Sequence, residues 1–332
     1  METLENQFNQ ALTNITVNGS KRARAIKAHT EIRALLETDP HLVSLGVDTV
    51  LIGSYARKTG IYPGKDVDVF VKLTRLDVSA DPAEVFEAVC RVLRRHYGDR
   101  VEIQHRSIKI TFDSEGDEFS VDAVPAVRFG ERWALPSHDR DLWQYSDKRW
   151  IETNPEQLGK LTSAQNRQPT VSGDGAYVPT VKLIRQIRSH HRGDAKPGGF
   201  YFELATFWAF EQGITGSSRV EILTSTLRSI ANQLNSGIAL VDPVLGRAYE
   251  PMPSPEDLNS AALTFNELAS QAEAALTMEA CPAAAIWRRI LGTNSRGQCF
   301  PLPAGCDESG RLITPAVTAV TARGASEAGG FG

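Results

Sequence analysis

The sequence predicts an α+β chain, a mixed α/β core in the first half joined to a helical second half. Short apolar strands framed by helices fill roughly the first 130 residues, which suits a sheet covered by helices. The stretch Asp66 to Leu73 alternates cleanly, with Val67, Val69, Val71 and Leu73 on one face and Asp66, Asp68, Phe70 and Lys72 on the other. From Asp139 onward the apolar spacing becomes helical.

Element by element, a helix is expected from Ser20 to about Glu37. Ala25, Ala28, Ile32, Leu35 and Leu36 form its apolar stripe, and Thr38-Asp39-Pro40 stops it. A strand over Thr49 to Ile52 runs into Gly53-Ser54, and a turn-rich stretch leads to the strand at Asp66. Asp81-Pro82 opens a helix, proline at the first helical position, with Val85, Phe86, Val89, Val92 and Leu93 at helical spacing. Strands follow over Val101 to Phe112, with alternation broken around His105 to Ser107, and over Glu118 to Val127. Helices are expected over Pro179 to His191, Phe200 to Gln212, Val220 to Asn235, Pro255 to Met278 and Pro282 to Leu291. The domain expectation is residues 1–150 for the core, 151–303 for the helical lobe and 304–332 for a flexible tail of Gly, Ala, Ser and Thr.

The 332 residues are 41% hydrophobic and 23% charged, with a formal net charge of −4. That acidity argues against an electrostatic clamp for duplex nucleic acid but leaves room for a local phosphate pocket. No apolar run reaches the roughly 18 residues of a membrane span, and no secretory signal stands at the N-terminus. Cys90, Cys281, Cys299 and Cys306 lack CxxC spacing and read as reduced thiols of a cytoplasmic protein, with a Cys299–Cys306 bridge as the alternative. No His/Cys cluster has zinc-ligand spacing. His190-His191 reads as an exposed helix end, and the five tryptophans read as core.

One constellation carries chemistry. Asp66 and Asp68 are two apart on a strand, so both point to one face, roughly 7 Å apart at Cα. Asp122, in the strand FSVDAVPAV, takes the face opposite Phe119 and Val121 and is placed to meet them. Carboxylates on rigid neighbouring strands suit Mg²⁺, which takes a few hard oxygens plus phosphate oxygens. Two such ions about 4 Å apart stabilise both the attacking and the leaving oxygen of a phosphoryl transfer. Gly53 lets the backbone approach a phosphate, and the Ser54 hydroxyl can donate to it. Taken singly, a paired Asp is more often a solvated strand face, and Gly-Ser a simple turn. Their agreement in order and in face makes GSYARKTGIYPGKDVDVFV followed by SVDAVP specific.

These residues resemble the signature of the polymerase-beta nucleotidyltransferase superfamily. KPGGFYFELATFWAFEQG resembles the matching helix of the oligoadenylate synthases, and VDPVLGRAYEP is similar to a later Asp-Pro motif of that lineage. AAAIWRRILGTNSRGQCFPLP resembles the closing segment of bacterial cGAS/DncV-like nucleotidyltransferases (CD-NTases). The resemblance spans Ser20 to Pro303. It implies a polymerase-beta-like mixed sheet joined to a helical lobe, the active site in the cleft between them and the long first helix bridging both.

The same resemblance implies an enzyme that makes a cyclic oligonucleotide second messenger from ribonucleoside triphosphates, ATP among them, in antiphage (CBASS) signalling. Asp66, Asp68 and Asp122 would hold two Mg²⁺ ions and carry catalysis. Gly53, Ser54 and basic residues of the Pro179 to His191 helix would contact triphosphate. On that helix Lys182 and Arg185 are three apart and share a face, Arg188 being a lesser candidate and a solvated basic face the alternative. Phe200 aligns with a base-stacking aromatic, Tyr201 competes with it, and core packing is the other reading. A downstream effector and an activating partner are implied, and a ubiquitin-transfer-like partner acting on Gly332 is a further expectation. The rival functions are nucleotidyl transfer to an RNA or protein acceptor and a catalytically silent nucleotide-binding scaffold.

Overall fold

The computed structural model describes residues 4–17, 19–64, 66–113 and 118–313. Helix α1 (Glu5–Ile15) leads to α2 (Gly19–Thr38) and the short α3 (Pro40–Ser44). Strand β1 (Val47–Ile52), a single turn α4 (Gly53–Ala56), strand β2 (Asp66–Asp77) and α5 (Pro82–Tyr97) follow. Then come β3 (Val101–Ile103), β4 (Ile108–Phe112), β5 (Phe119–Phe129), β6 (Arg132–Pro136) and β7 (Trp150–Thr153). The second half holds α6 (Pro155–Gln165), a small ribbon of β8 (Thr170–Val171) and β9 (Asp174–Gly175), α7 (Tyr177–Arg192), α8 (Gly199–Glu211) and α9 (Arg219–Asn235). It ends in α10 (Pro255–Ala275), α11 (Ala280–Leu291) and the ribbon β10 (Thr293–Asn294) and β11 (Gly297–Gln298).

The main sheet runs β1-β2-β5-β4-β3, with β6 and β7 continuing from the far half of β5. Among the described strands only β2 and β5 pair in parallel, and their register sets Asp66 opposite Ser120 and Asp68 opposite Asp122. Side-chain alternation then divides the strands. Val67, Val69, Val71, Leu73, Val121, Ala123 and Val127 pack under α2 and α5. Phe70, Val124 and Ala126 face the other way with Trp133 and Leu135. The three aspartates lie on this second face, towards the helical lobe. Lys72 shares it, buried but paired with Asp48 at 2.7 Å and Glu156 at 3.5 Å.

The expected break at His105 to Ser107 is a turn closed by Gln104 N–H donating to the Ser107 carbonyl. Asp81 caps α5 by accepting from Ala83 N–H, as the Asp-Pro pair implies. Three parts depart from the expectation. The bridge between lobes is two helices, not one: α1 buries Phe8, Ala11 and Ile15 in the helical core with Trp287 and Phe300, while α2 packs on the sheet. Strand β7, paired with β6, extends the sheet past Asp139. Residues 304–313, placed by sequence in the flexible tail, close on themselves through a Cys306–Leu312 β-bridge and a turn on the Asp307 carboxylate, and reach α11 where Arg288 donates to Glu308 at 2.8 Å. The Gly332 expectation falls on residues 314–332, outside the described residues.

The cysteine expectation is corrected. Cys281 and Cys306 form a disulfide with Cα atoms 5.3 Å apart, so neither the four free thiols nor the Cys299–Cys306 bridge holds. Cys299 is buried with Phe300 in the helical core, which withdraws it from Cys306. The return of residues 304–313 to the start of α11 joins cysteines that are 25 positions apart.

Candidate active site

The loop after β1 is built around Gly53 and Ser54. Gly53 has φ +70°, and a Cβ there would lie 1.8 Å from Asp68 Oδ2, so only glycine fits both the turn and the neighbour. The Ser54 carbonyl accepts from Thr59 N–H at 2.9 Å and Gly60 N–H at 3.2 Å, which folds YARKTG back over the strand end.

Asp66 is held by the hydroxyl of Ser120, which donates to its Oδ1 at 2.7 Å across the β2–β5 pair. Asp68 and Asp122 sit deeper. Burial, then repulsion from Asp66, pushes Asp68 up to about 6. Burial, then Asp68 and Asp66, pushes Asp122 up to about 7. Asp122 Oδ1 is buried with no hydrogen-bond partner among the described residues. Three mutually repelling carboxylates with an orphaned oxygen are the donor set a hard divalent cation satisfies. Among the described residues no three His, Cys, Asp or Glu side chains are already arranged to hold a metal ion by themselves.

Two cavities meet at Asp68. The larger, about 510 Å³, holds Asp66, Asp68 and Asp122 together with Lys21, Arg22 and Arg188. The second, about 420 Å³, is lined by Phe200, Arg57, Arg106, Asn154 and Asp242. Ser54, Asp68, Arg185 and Gly199 line both and form the wall between them.

Of the residues read from sequence, the structure gathers Gly53, Ser54, Asp66, Asp68, Asp122 and Arg185 at this junction. Phe200 opens into the second cavity, 37% exposed, with the Arg57 guanidinium 5.5 Å from its ring. Tyr201 is 3% exposed and packs in the core, so the two neighbours are resolved in favour of Phe200 as the accessible ring. Lys182 lines neither cavity; its ammonium donates to Thr16 Oγ1 at 3.4 Å. Arg188 does line the larger cavity, anchored by the Pro197 and Ala195 carbonyls.

Several site residues escaped the sequence reading. Ser120 was legible in principle, lying two positions before Asp122 on the same face. Arg57 and Glu203 were not: the Arg57 guanidinium meets Glu203 at 2.6 Å across the lobes, 146 positions apart. Arg106, at the turn after β3, reaches the second cavity from the far side.

Residues 1–166 match a family profile described as the Second Messenger Oligonucleotide or Dinucleotide Synthetase domain. A cyclic AMP-AMP-AMP synthase of an Acinetobacter species is 26% identical over 211 residues, 60% of this chain. The match spans 57% of that relative's length. A cyclic AMP-AMP-GMP synthase of Enterobacter hormaechei is 24% identical over 383 aligned positions, covering 94% of this chain and 96% of the relative. Among solved structures, the Bradyrhizobium diazoefficiens CD-NTase CdnG in complex with GTP superposes with a TM-score of 0.68. It is 16% identical and covers 87% of this chain and 95% of its own. Escherichia coli MS115-1 CdnC with ATP gives 0.67 at 17% identity, covering 90% and 98%. The same CdnC in complex with a HORMA protein gives 0.66 at 16% identity, again covering 90% and 98%.

Proposed function

Given that the chain belongs to the family of second messenger oligonucleotide or dinucleotide synthetases, we propose that it joins ribonucleoside triphosphates into a cyclic oligonucleotide. The observation that carries this is the placement of Asp66, Asp68 and Asp122 in one nucleotide-sized cavity that shares part of its wall, Asp68 included, with a second. One cavity suits the nucleotide that supplies the α-phosphate, the other the nucleotide that supplies the hydroxyl.

In the reaction, a 2′ or 3′ hydroxyl oxygen forms a bond to the α-phosphorus of the other nucleotide, and the bond to pyrophosphate breaks. A second attack of the same kind closes the ring. Mg²⁺ bound at the three aspartates would neutralise triphosphate charge and ease ionisation of the hydroxyl. The chain's own residues do the rest. Ser54 donates to a phosphate oxygen from the shared wall, and Arg185 supplies positive charge where negative charge builds on the leaving group. Asp122, whose burial holds it above the usual carboxylate range, takes the hydroxyl proton. Phe200 offers a face on which a nucleobase stacks, a contact open to any base.

The adenosine content of both named synthase products supports ATP as a substrate here. The CdnC–HORMA complex supports a partner protein that acts on the chain. No described helix is long and apolar enough to cross a membrane, which is compatible with a cytoplasmic enzyme whose product acts on a separate antiphage effector. The test is incubation with the four labelled ribonucleoside triphosphates and Mg²⁺, with Asp66→Ala/Asp68→Ala as control. A phosphatase-resistant oligonucleotide absent from the control is the expected result. Label transferred only to added RNA or protein would replace the cyclase reading with acceptor modification.

A further inference from the structure

Glu203 is the one carboxylate of α8 aimed at the interlobe wall, and it is 2% exposed. It accepts four hydrogen bonds from three residues. Arg57 Nε donates to Oε1 at 2.6 Å and Arg57 Nη2 to Oε2 at 3.3 Å. Arg185 Nη1 donates to Oε2 at 3.3 Å, and Thr59 Oγ1 at 3.2 Å. Arg57 and Thr59 come from the loop after Gly53-Ser54, Arg185 from α7. One buried anion therefore ties the phosphate loop of the sheet lobe to two helices of the other lobe.

The charge count makes this more than a strut. Two guanidiniums share one carboxylate, and the next anion on the same wall is Asp68, which lines the second cavity with both of them. Both arginines act electrostatically on Asp68. Arg57, only 6% exposed, cannot be left in the interior without a counter-ion. Remove the charge at position 203 and the nearest remedy is for a guanidinium to close on Asp68.

We propose that Glu203 is a positioning residue of the transfer site: it holds Arg57 and Arg185 at the wall between the cavities and off Asp68. The carboxylate stays open to a cation and the guanidiniums stay open to phosphate. The proposal rests on the nucleotidyl-transfer reading given above and deepens it.

The test uses the full chain and Mn²⁺ as probe, its binding followed by electron paramagnetic resonance. Glu203→Gln is expected to bind Mn²⁺ at least 10-fold more weakly than the parent. Glu203→Gln/Arg57→Gln is expected to recover to within threefold, because the more buried competing guanidinium is gone and Arg185, 22% exposed against 6% for Arg57, keeps access to water. A strut alone predicts no such recovery, since the second substitution removes a further contact. Steady-state rates should show kcat falling in Glu203→Gln and partly returning in the double variant. Glu203→Asp, which keeps the charge but withdraws it by one methylene, is expected to be intermediate and decides the matter if Glu203→Gln does not fold. Parental Mn²⁺ affinity in Glu203→Gln, or in Glu203→Asp where only that variant folds, overturns the proposal, as does a double variant no better than the single. A parent that binds no Mn²⁺ instead overturns the metal reading of the three aspartates on which the proposal depends.

Discussion

Replacing Gly53 by alanine adds one methyl group at the tightest point of the site. The backbone there has φ +70°, a left-handed conformation that costs a residue with a Cβ roughly 1–2 kcal/mol. The new Cβ would stand 1.8 Å from Asp68 Oδ2 and 2.8 Å from its Cγ, where real Cβ contacts do not come under 3.0 Å. The carboxylate must therefore retreat by about 1.2 Å, the gap between those two distances. A shift of about 1 Å in a reacting group costs on the order of 100-fold in rate. Gly53→Ala is thus expected to lose about 100-fold in kcat while its melting midpoint falls by only roughly 2–6 °C. Gly98→Ala is the control: its φ is +56°, but nothing lies within 4 Å of the added carbon. It should show a similar loss of stability with unchanged turnover. Product formation from labelled triphosphates and thermal melts of the three proteins make the comparison. Turnover of Gly53→Ala within threefold of the parent would refute the clash argument. So would a Gly98→Ala variant that loses activity in step with its stability.

The remaining expectations use the same protein. Because Asp68 and Asp122 are held above the usual carboxylate range, the folded chain binds more protons than the unfolded one between about pH 4 and pH 7. Their contribution to stability is therefore present at low pH and lost as pH rises through 6 to 7, so in a chelator Asp122→Asn should flatten the fall in melting midpoint over that window; a slope identical to the parent's would exclude the effect. Added Mg²⁺ should stabilise the parent more at pH 8 than at pH 5.5, since ligating carboxylates must be ionised. Phe200→Ala should raise KM for a triphosphate by roughly 5- to 150-fold, the 1–3 kcal/mol of a lost stack, with little change in melting. Tyr201→Ala should do the reverse, losing about 3–5 kcal/mol of stability as a core truncation; exchanged outcomes would mean that the rings have exchanged roles. Reducing the Cys281–Cys306 bridge, which closes a loop of 25 positions, should cost about 3 kcal/mol without altering kcat, and a melt insensitive to reductant would show that the thiols are unpaired in solution.

What the sequence revealed of this site follows from which separations its periodicities can bridge. A strand repeats every two residues, so Asp66 and Asp68 share a face by arithmetic. Ser120 and Asp122 share one too, and only the pairing of β2 with β5 had to be supplied by the fold. Helical spacing is looser. Lys182 and Arg185, three apart, share a face by spacing, yet only Arg185 reaches the cleft, because Thr16, just past the end of α1, takes the lysine. That misplacement has the same root as the missing first helix: Phe8, Ala11 and Ile15 are a thin stripe among polar residues, and their burial is meaningful only once α7, α9 and α11 are present to receive it. Phe200 and Tyr201 are about 100° apart on α8, so one must turn inward. Which one does is decided by partners absent from the local pattern: Phe202 stacks on Phe265 with ring centroids 4.6 Å apart, and this fixes the rotation of the helix. Glu203 lies one position further on and inherits that rotation. A carboxylate between apolar neighbours in FELATF gives no local reason for its charge; the reason is Arg57, supplied from the other lobe. The metal-binding face was therefore legible from one strand at a time, whereas the charges that govern it depend on the docking of the lobes.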